Sequence, residues 1–229
     1  MTPLACLARA LAGALAAALL AASPIAAAQD ANTVRPDVGK ALQAAQALSK
    51  SGKHKEALAK VSEADAVSGK TAFENYTIQR TRGSIAAVAG ENETAAKAFE
   101  AVIASGKAPA GENLKMMQAI AGLYYRAKDY PKAASWATRY QKEGGSDPAM
   151  RTLLVQSHFL NNDCASVSKT VGESDSGRRA SEEELQILAN CYLKQKDNQG
   201  YVSAIERLVV NYPKKEYWTD LLNRVQKKN

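Results

Sequence analysis

The sequence predicts an all-α chain of short antiparallel helices, and three observations carry that expectation. Apolar residues recur at helical spacing from Val38 to the C-terminus, while the alternation of half-buried strands is scarce. Turn formers interrupt that periodicity at regular places: Ser51-Gly52, Ser68-Gly69, Ala89-Gly90, Ser105-Gly106, Asp129-Tyr130-Pro131, Gly144-Gly145, Asn161-Asn162-Asp163, Asp197-Asn198 and Asn211-Tyr212-Pro213. They leave segments of about 12 to 16 residues, enough for ten or eleven helices. Alanine is abundant and aromatic residues make up only 6% of the chain, which favours closely packed helices over a sheet sandwich.

The segment ahead of the first helix has a different character. Arg9 precedes an apolar stretch from Ala10 to Ala22, and Ser23-Pro24-Ile25-Ala26-Ala27-Ala28 follows. A basic residue, a short apolar run and a small-residue end are the three regions of a secretory signal peptide, so residues 1–28 are expected to be removed. Cleavage after Ala28 takes the 229 residues to 201 and, with Arg9 lost, the net charge from +7 to +6. The apolar stretch is short for a membrane span and Pro24 follows it, although an uncleaved anchor is the alternative. Cys6 lies before the apolar run, not after it, which argues against lipidation there. No later segment is long and apolar enough to cross a bilayer, so no stable span is expected after cleavage and the product is placed in the periplasm or outside the cell. A predicted pI near 9.2 would suit a nucleic-acid partner, but export and the even scatter of charge argue against one. Residues 29–37 read as a loose tail, and 227–229, with Lys227 and Lys228, as a short basic end.

The helices between those tails repeat. Gly52-Lys53-His54-Lys55-Glu56-Ala57 sets a glycine turn five residues before an alanine; Gly90 to Ala95 repeats it, Lys128 to Ala133 is a third copy, and Asn162 to Val167 a degenerate fourth. In the fifth, Lys196-Asp197 is followed after a longer turn by Ala204. Taking Ala57, Ala95, Ala133, Val167 and Ala204 as equivalent, the spacings are 38, 38, 34 and 37. A small residue there lets the second helix of a pair approach the first. In order, repeat one runs from Val38 to about Lys70, repeat two from Tyr76 to about Ala108 and repeat three from Leu114 to about Asp147. Repeat four runs from Pro148 to about Ala180, repeat five from Ser181 to Pro213, and a last helix from about Glu216 to Gln226. Ser181 ahead of Glu182, Glu183 and Glu184 places a capping hydroxyl before acids that favour a helix N-terminus.

The pattern resembles the tetratricopeptide repeat (TPR) family, whose landmarks are a W-x2-L-G-x2-Y helix and an A-x3-F helix, and with its N-terminal signal the chain reads as an exported bacterial TPR-like protein. Gly83 falls on the helix-packing glycine, Ala95 on the small position and Phe99 on the aromatic. Ile120, Tyr124, Tyr130 and Ala133 match in the third repeat, and Leu154 and Val155 in the fourth. Trp218-Thr219-Asp220-Leu221 reproduces the W-x2-L opening in a terminal helix with no second helix behind it. The internal repeats lack the opening Trp. Across residues 38–226 the resemblance implies a TPR-like α-solenoid: a right-handed superhelix of about five antiparallel helix pairs plus a capping helix.

Chemistry leaves fewer traces. His54 and His158 are the only histidines, and there is no HExxH, phosphate loop or GxSxG. His158 and Cys164 could be offered as a thiol-imidazole pair, but nothing orients the histidine. Two thiols and a histidine at such spacings fit no compact zinc site. The expectation is a protein that is not an enzyme and has no cofactor or metal. Signal removal leaves Cys164 and Cys191, which stacked repeats would make neighbours, so a disulfide is expected. Two separate buried thiols are the alternative. A bridge would pin the loop-like stretch from Gly172 to Arg179.

The resemblance also implies a groove lined by the first helix of each pair. Its positions fall on Gln46, Lys50, Arg80, Ser84, Gln118, Tyr125, Arg126, Gln156, Phe159, Asn190 and Lys194. Tyr125 could equally be core, and Arg126 an ordinary solvated charge. Such a groove suits an extended peptide or a partner protein's tail, with amides on the backbone and aromatics around an apolar side chain. The Lys/Asn/Arg set of the two-carboxylate clamp in TPR co-chaperones has no counterpart. The leading expectation is an exported scaffold or adaptor. A self-associating envelope component, or a binder of an acidic small molecule, polysaccharide or lipid surface, are the alternatives.

Overall fold

The computed structural model describes residues 32–109, 111–172 and 179–226, all within the unit Ala31–Asn229. The expected signal peptide, residues 29–31, the basic end 227–229 and residues 173–178 of the loop-like stretch lie outside the described residues. Among the described residues eleven helices follow one another: α1 (Pro36–Lys50), α2 (His54–Ala66), α3 (Ala72–Val88), α4 (Asn92–Ala104), α5 (Glu112–Arg126), α6 (Tyr130–Lys142), α7 (Pro148–Leu160), α8 (Cys164–Gly172), α9 (Glu182–Lys194), α10 (Asn198–Asn211) and α11 (Lys215–Gln226). They form five antiparallel pairs and a final single helix. Odd-numbered helices of successive pairs touch, α1 on α3, α5 on α7 and α7 on α9, and each even helix packs on both the odd helix before it and the one after.

One turn, built five times, sets this arrangement. Gly52, Gly90, Lys128, Asn162 and Lys196 all have positive φ. The next N–H donates to the carbonyl five residues back in every case: Lys53 to Leu48, Glu91 to Ala86, Asp129 to Tyr124, Asp163 to His158 and Asp197 to Tyr192, at 2.8–2.9 Å. This closes the first helix of each pair on its own carbonyl and reverses the chain in two residues. The second helix then opens with a bond from Ala57, Ala95, Ala133, Val167 and Tyr201 to the residue four before it.

That register corrects the fifth repeat. The position expected at Ala204 belongs to Tyr201, and the turn is no longer than the others. At the end of the array this position faces α11, where the Tyr201 hydroxyl donates to the Asp220 carboxylate and the Arg224 guanidinium lies 4.7 Å over the ring. The close approach is made one residue earlier, by Gly200, where a Cβ would run into the Tyr192 ring. The turns thus recur every 38, 38, 34 and 34 residues. The first excess over 34 is one extra helical turn in α3, which has 17 residues where α7 and α9 have 13.

Small residues carry the packing between helices of a pair. Ala57, Ala95 and Ala133 are fully buried. Gly83 on α3 takes the ring of Phe99 from α4, and a Cβ at Gly83 would lie 2.6 Å from Phe99 Cε1. Gly83→Ala is therefore expected to destabilise the chain by about 1–2 kcal/mol, because overpacking outweighs the gain in helix propensity. Urea unfolding checks this, and adding Phe99→Leu to Gly83→Ala should recover part of the loss; a Gly83→Ala variant as stable as the parent would mean the ring moves aside at no cost.

Two buried glutamates tie neighbouring repeats together. Glu74 and Glu184 each complete a capping box, with Thr71 and Ser181. Each is buried and faces an arginine from the preceding repeat. Arg35 donates to Glu74 through Nε at 2.8 Å, Nη2 at 3.1 Å and its backbone N–H at 2.9 Å, while Arg151 Nε lies 3.5 Å from Glu184 Oε1. Arg35 and the first two residues of α1 fall in the segment read from sequence as a tail. At the other end, the W-x2-L match needs revision. Tyr217 and Leu221, one turn apart, pack on the core, while Trp218, Leu222 and Val225 form a stripe that is 50%, 56% and 49% exposed. No helix among the described residues is long and apolar enough to cross a membrane.

Candidate functional site

The odd-numbered helices place the groove candidates in two kinds of surroundings. In the first, a polar side chain of one odd helix bonds to the first turn of the next. Arg80 Nη2 lies 3.4 Å from Glu112 Oε2, Gln118 Nε2 donates to Asp147 Oδ2 at 2.8 Å, and Gln156 Nε2 donates to Glu183 Oε1. Gln186 continues the series by donating to the Tyr217 hydroxyl at 2.6 Å. The acids belong where they are, since carboxylates in a first turn favour the helix dipole. Their partners form rungs from repeat to repeat, so Gln118 and Gln156 have donors already engaged.

Other candidates pair off. Lys194 Nζ sits 4.1 Å over the Phe159 ring and 3.4 Å from Asn162 Oδ1, which joins two groove positions from neighbouring repeats and covers the aromatic. Tyr125 is half-buried, edge-on to Tyr130 with ring centres 5.7 Å apart, and burial pushes its hydroxyl above the ordinary tyrosine range. Arg126 Nε donates to Asn92 Oδ1 at 3.2 Å. Asn190 is exposed on α9.

The second kind of surrounding is open. A pocket of about 550 Å³ lies between α1 and α3, and it gathers Gln46, Lys50, Arg80 and Ser84 from the expected groove. Among the described residues, neither Gln46 nor Lys50 has a hydrogen-bond or ion-pair partner. The pocket floor comes from residues not singled out in sequence: Phe73 and Tyr76, with rings 5.9 Å apart, and the exposed Val88. Arg80 Nη1 donates to the Tyr76 hydroxyl at 2.8 Å, which holds the guanidinium against the ring. A signal for this patch was present, because Phe73, Tyr76, Arg80 and Ser84 share one helix face at spacings of three and four.

Cys164 and Cys191 are joined in a disulfide, with their Cα atoms 5.4 Å apart. Cys164 is therefore no free thiol for His158 to act on. Its Nδ1 lies 3.7 Å from Asp163 Oδ2, and burial lowers its pKa against the opposing pull of that carboxylate. His54 Nδ1 is 3.5 Å from Ser49 Oγ. Among the described residues, no group of three or more His, Cys, Asp or Glu side chains is placed to hold a metal ion.

No protein-family model and no curated protein matches the chain. Among solved structures it is similar to YrrB, a TPR protein with an unusual peptide-binding site, at 13% identity over 84% of this chain and 92% of that one, with a TM-score of 0.46. It is similar also to a Podosopora anserina kinesin light chain with nearly identical TPR-like repeats, at 15% identity over 78% and 96% with a TM-score of 0.44. PilF of Pseudomonas aeruginosa follows at 9% identity over 82% and 97%, with a TM-score of 0.41. With five identical turns, five helix pairs and odd helices stacked on odd, the chain is an all-α solenoid of paired antiparallel helices with TPR-like architecture.

Proposed function

We propose that this chain is an exported, non-catalytic bacterial scaffold that binds an extended segment of a partner protein on the face of its odd-numbered helices. The observation that carries this reading is the pocket between α1 and α3. It has an aromatic floor of Phe73 and Tyr76, two cations at Lys50 and Arg80, and an unengaged amide at Gln46. An apolar side chain would stack on the rings, a neighbouring carboxylate would meet Lys50 and Arg80, and Gln46 would bond the peptide backbone. The solenoid supplies a long surface onto which such a segment extends. Export rests on the N-terminal sequence, and the Cys164–Cys191 bridge supports it, since oxidising compartments favour such pairings.

Photo-crosslinking in intact cells tests the reading. A crosslinker at Ser84, on the pocket rim, should capture a discrete protein, whereas one at Lys97, an exposed residue of α4, should not. The captured partner should bind the Arg80→Ala variant about tenfold more weakly or worse, as expected of an arginine anchor. Equal capture from both positions, with undiminished affinity for Arg80→Ala and Lys50→Glu, would remove the site.

A further inference from the structure

A second cavity, of about 520 Å³, opens between α6, α7 and α8 and shares no lining residue with the α1–α3 pocket. Each of the three helices lines it with a cation, Lys142 from α6, Arg151 from α7 and Lys169 from α8, and α7 adds the imidazole of His158. Helical spacing puts them there. Lys142 lies one turn beyond Thr138, and His158 two turns beyond Arg151, so each pair shares a face. No carboxylate belongs to the described lining.

The charges are unequally balanced. Buried Glu184 stands 3.5 Å from Arg151, and Asp163 stands 3.7 Å from His158, whose pKa burial already lowers. Neither Lys142 nor Lys169 forms an ion pair with any described residue. Lys142 and Lys169 are thus the two lining cations with no described carboxylate facing them, and Thr138 and Thr170 lie beside them. Its volume is more than a lone phosphate fills and falls within the range of small-molecule sites, about 300–1,000 Å³.

We propose that this cleft binds a small soluble polyanion bearing phosphate groups, held between Lys142 and Lys169. Two charge-assisted contacts from separate helices would then bridge repeats three and four. The proposal is independent of the α1–α3 pocket and stands or falls without it.

Calorimetric titration of the full chain with inorganic pyrophosphate tests it, with phosphatidylcholine vesicles carrying phosphatidic acid as a second arm. Pyrophosphate should bind saturably, and Lys142→Gln with Lys169→Gln should weaken it at least about tenfold. Lys55→Gln with Lys115→Gln, which removes the same net charge from exposed sites elsewhere, should leave it unchanged. Equal loss in both double variants, undiminished binding by the Lys142/Lys169 pair, absence of saturation, or binding to the vesicles alone would each overturn the proposal.

Discussion

Glu74→Gln is expected to cost about 3 kcal/mol of stability, since removing one partner of a buried ion pair strands the other. The Glu74 carboxylate is buried and accepts four hydrogen bonds: three from Arg35, and one from the Thr71 N–H at 2.8 Å. An amide keeps the shape but turns donors toward donors and leaves the Arg35 guanidinium without a counter-charge. Because a solenoid couples only neighbouring repeats, the loss should appear as early exchange of the α1 and α2 amides, with α9 and α10 little affected. Replacing both side chains by leucine should recover the guanidinium's share of the loss, but not that of the two backbone N–H groups. Uniform loss of protection along the chain would show that the clamp does not act locally.

The same residue shapes the acid limb of stability. Hydrogen bonding from the Arg35 guanidinium, opposed by burial and aided by the Thr71 and Arg35 backbone N–H groups and the Arg35 charge, lowers the Glu74 pKa from 4.5 to about 2. A carboxyl whose pKa is depressed by folding contributes fully above its unfolded value and loses that contribution as pH falls through the folded one. The parent should therefore lose stability between pH 4.5 and 2, by about 3 kcal/mol from this group. Denaturant titrations across that window should show a shallower slope for Glu74→Gln.

How much of this could be read beforehand follows from the range of each interaction. The five turns are local chemistry, so the breakers at Gly52, Gly90, Asp129-Tyr130-Pro131, Asn162 and Asp197-Asn198 announced the helix pairs. The fifth register slipped because Lys196 carries no signature of positive φ, and alanine at 204 looked more like the small position than tyrosine at 201. Gly83 and Phe99, 16 residues apart, were matched through resemblance to known repeats, and the structure sets them in contact. The Arg35–Glu74 clamp spans 39 residues and joins a segment read as tail to a helix start; only its local half, the Thr71-x-x-Glu74 capping box, was written in the sequence. The groove residues were drawn from odd helices, but spacing alone does not say which side chains are engaged. That depended on Glu112, Asp147 and Glu183 in the neighbouring repeat.

Reduction of the Cys164–Cys191 bridge is expected to cost about 3.5 kcal/mol, the chain-entropy estimate for a loop closed over 27 residues. The local structure leans on it. Helix α8 has only nine residues, below the length at which an isolated helix holds in water, and the bridge fastens its first residue to the buried Cys191 in α9. Reduction keeps both sulfur atoms in place and removes only the link, whereas Cys164→Ala with Cys191→Ala also empties volume from the core. The alanine pair should therefore be less stable than the reduced parent, by the cost of a small cavity. Urea unfolding with and without reductant separates the two effects. Its slope should rise on reduction, because an uncrosslinked unfolded chain exposes more surface. If the link acts by restraining the unfolded chain, exchange from α8 speeds up first, and α1 to α4 keep their protection. An unchanged urea midpoint after complete reduction would mean that packing around Val167, Val171 and Leu188 holds α8 without the bridge.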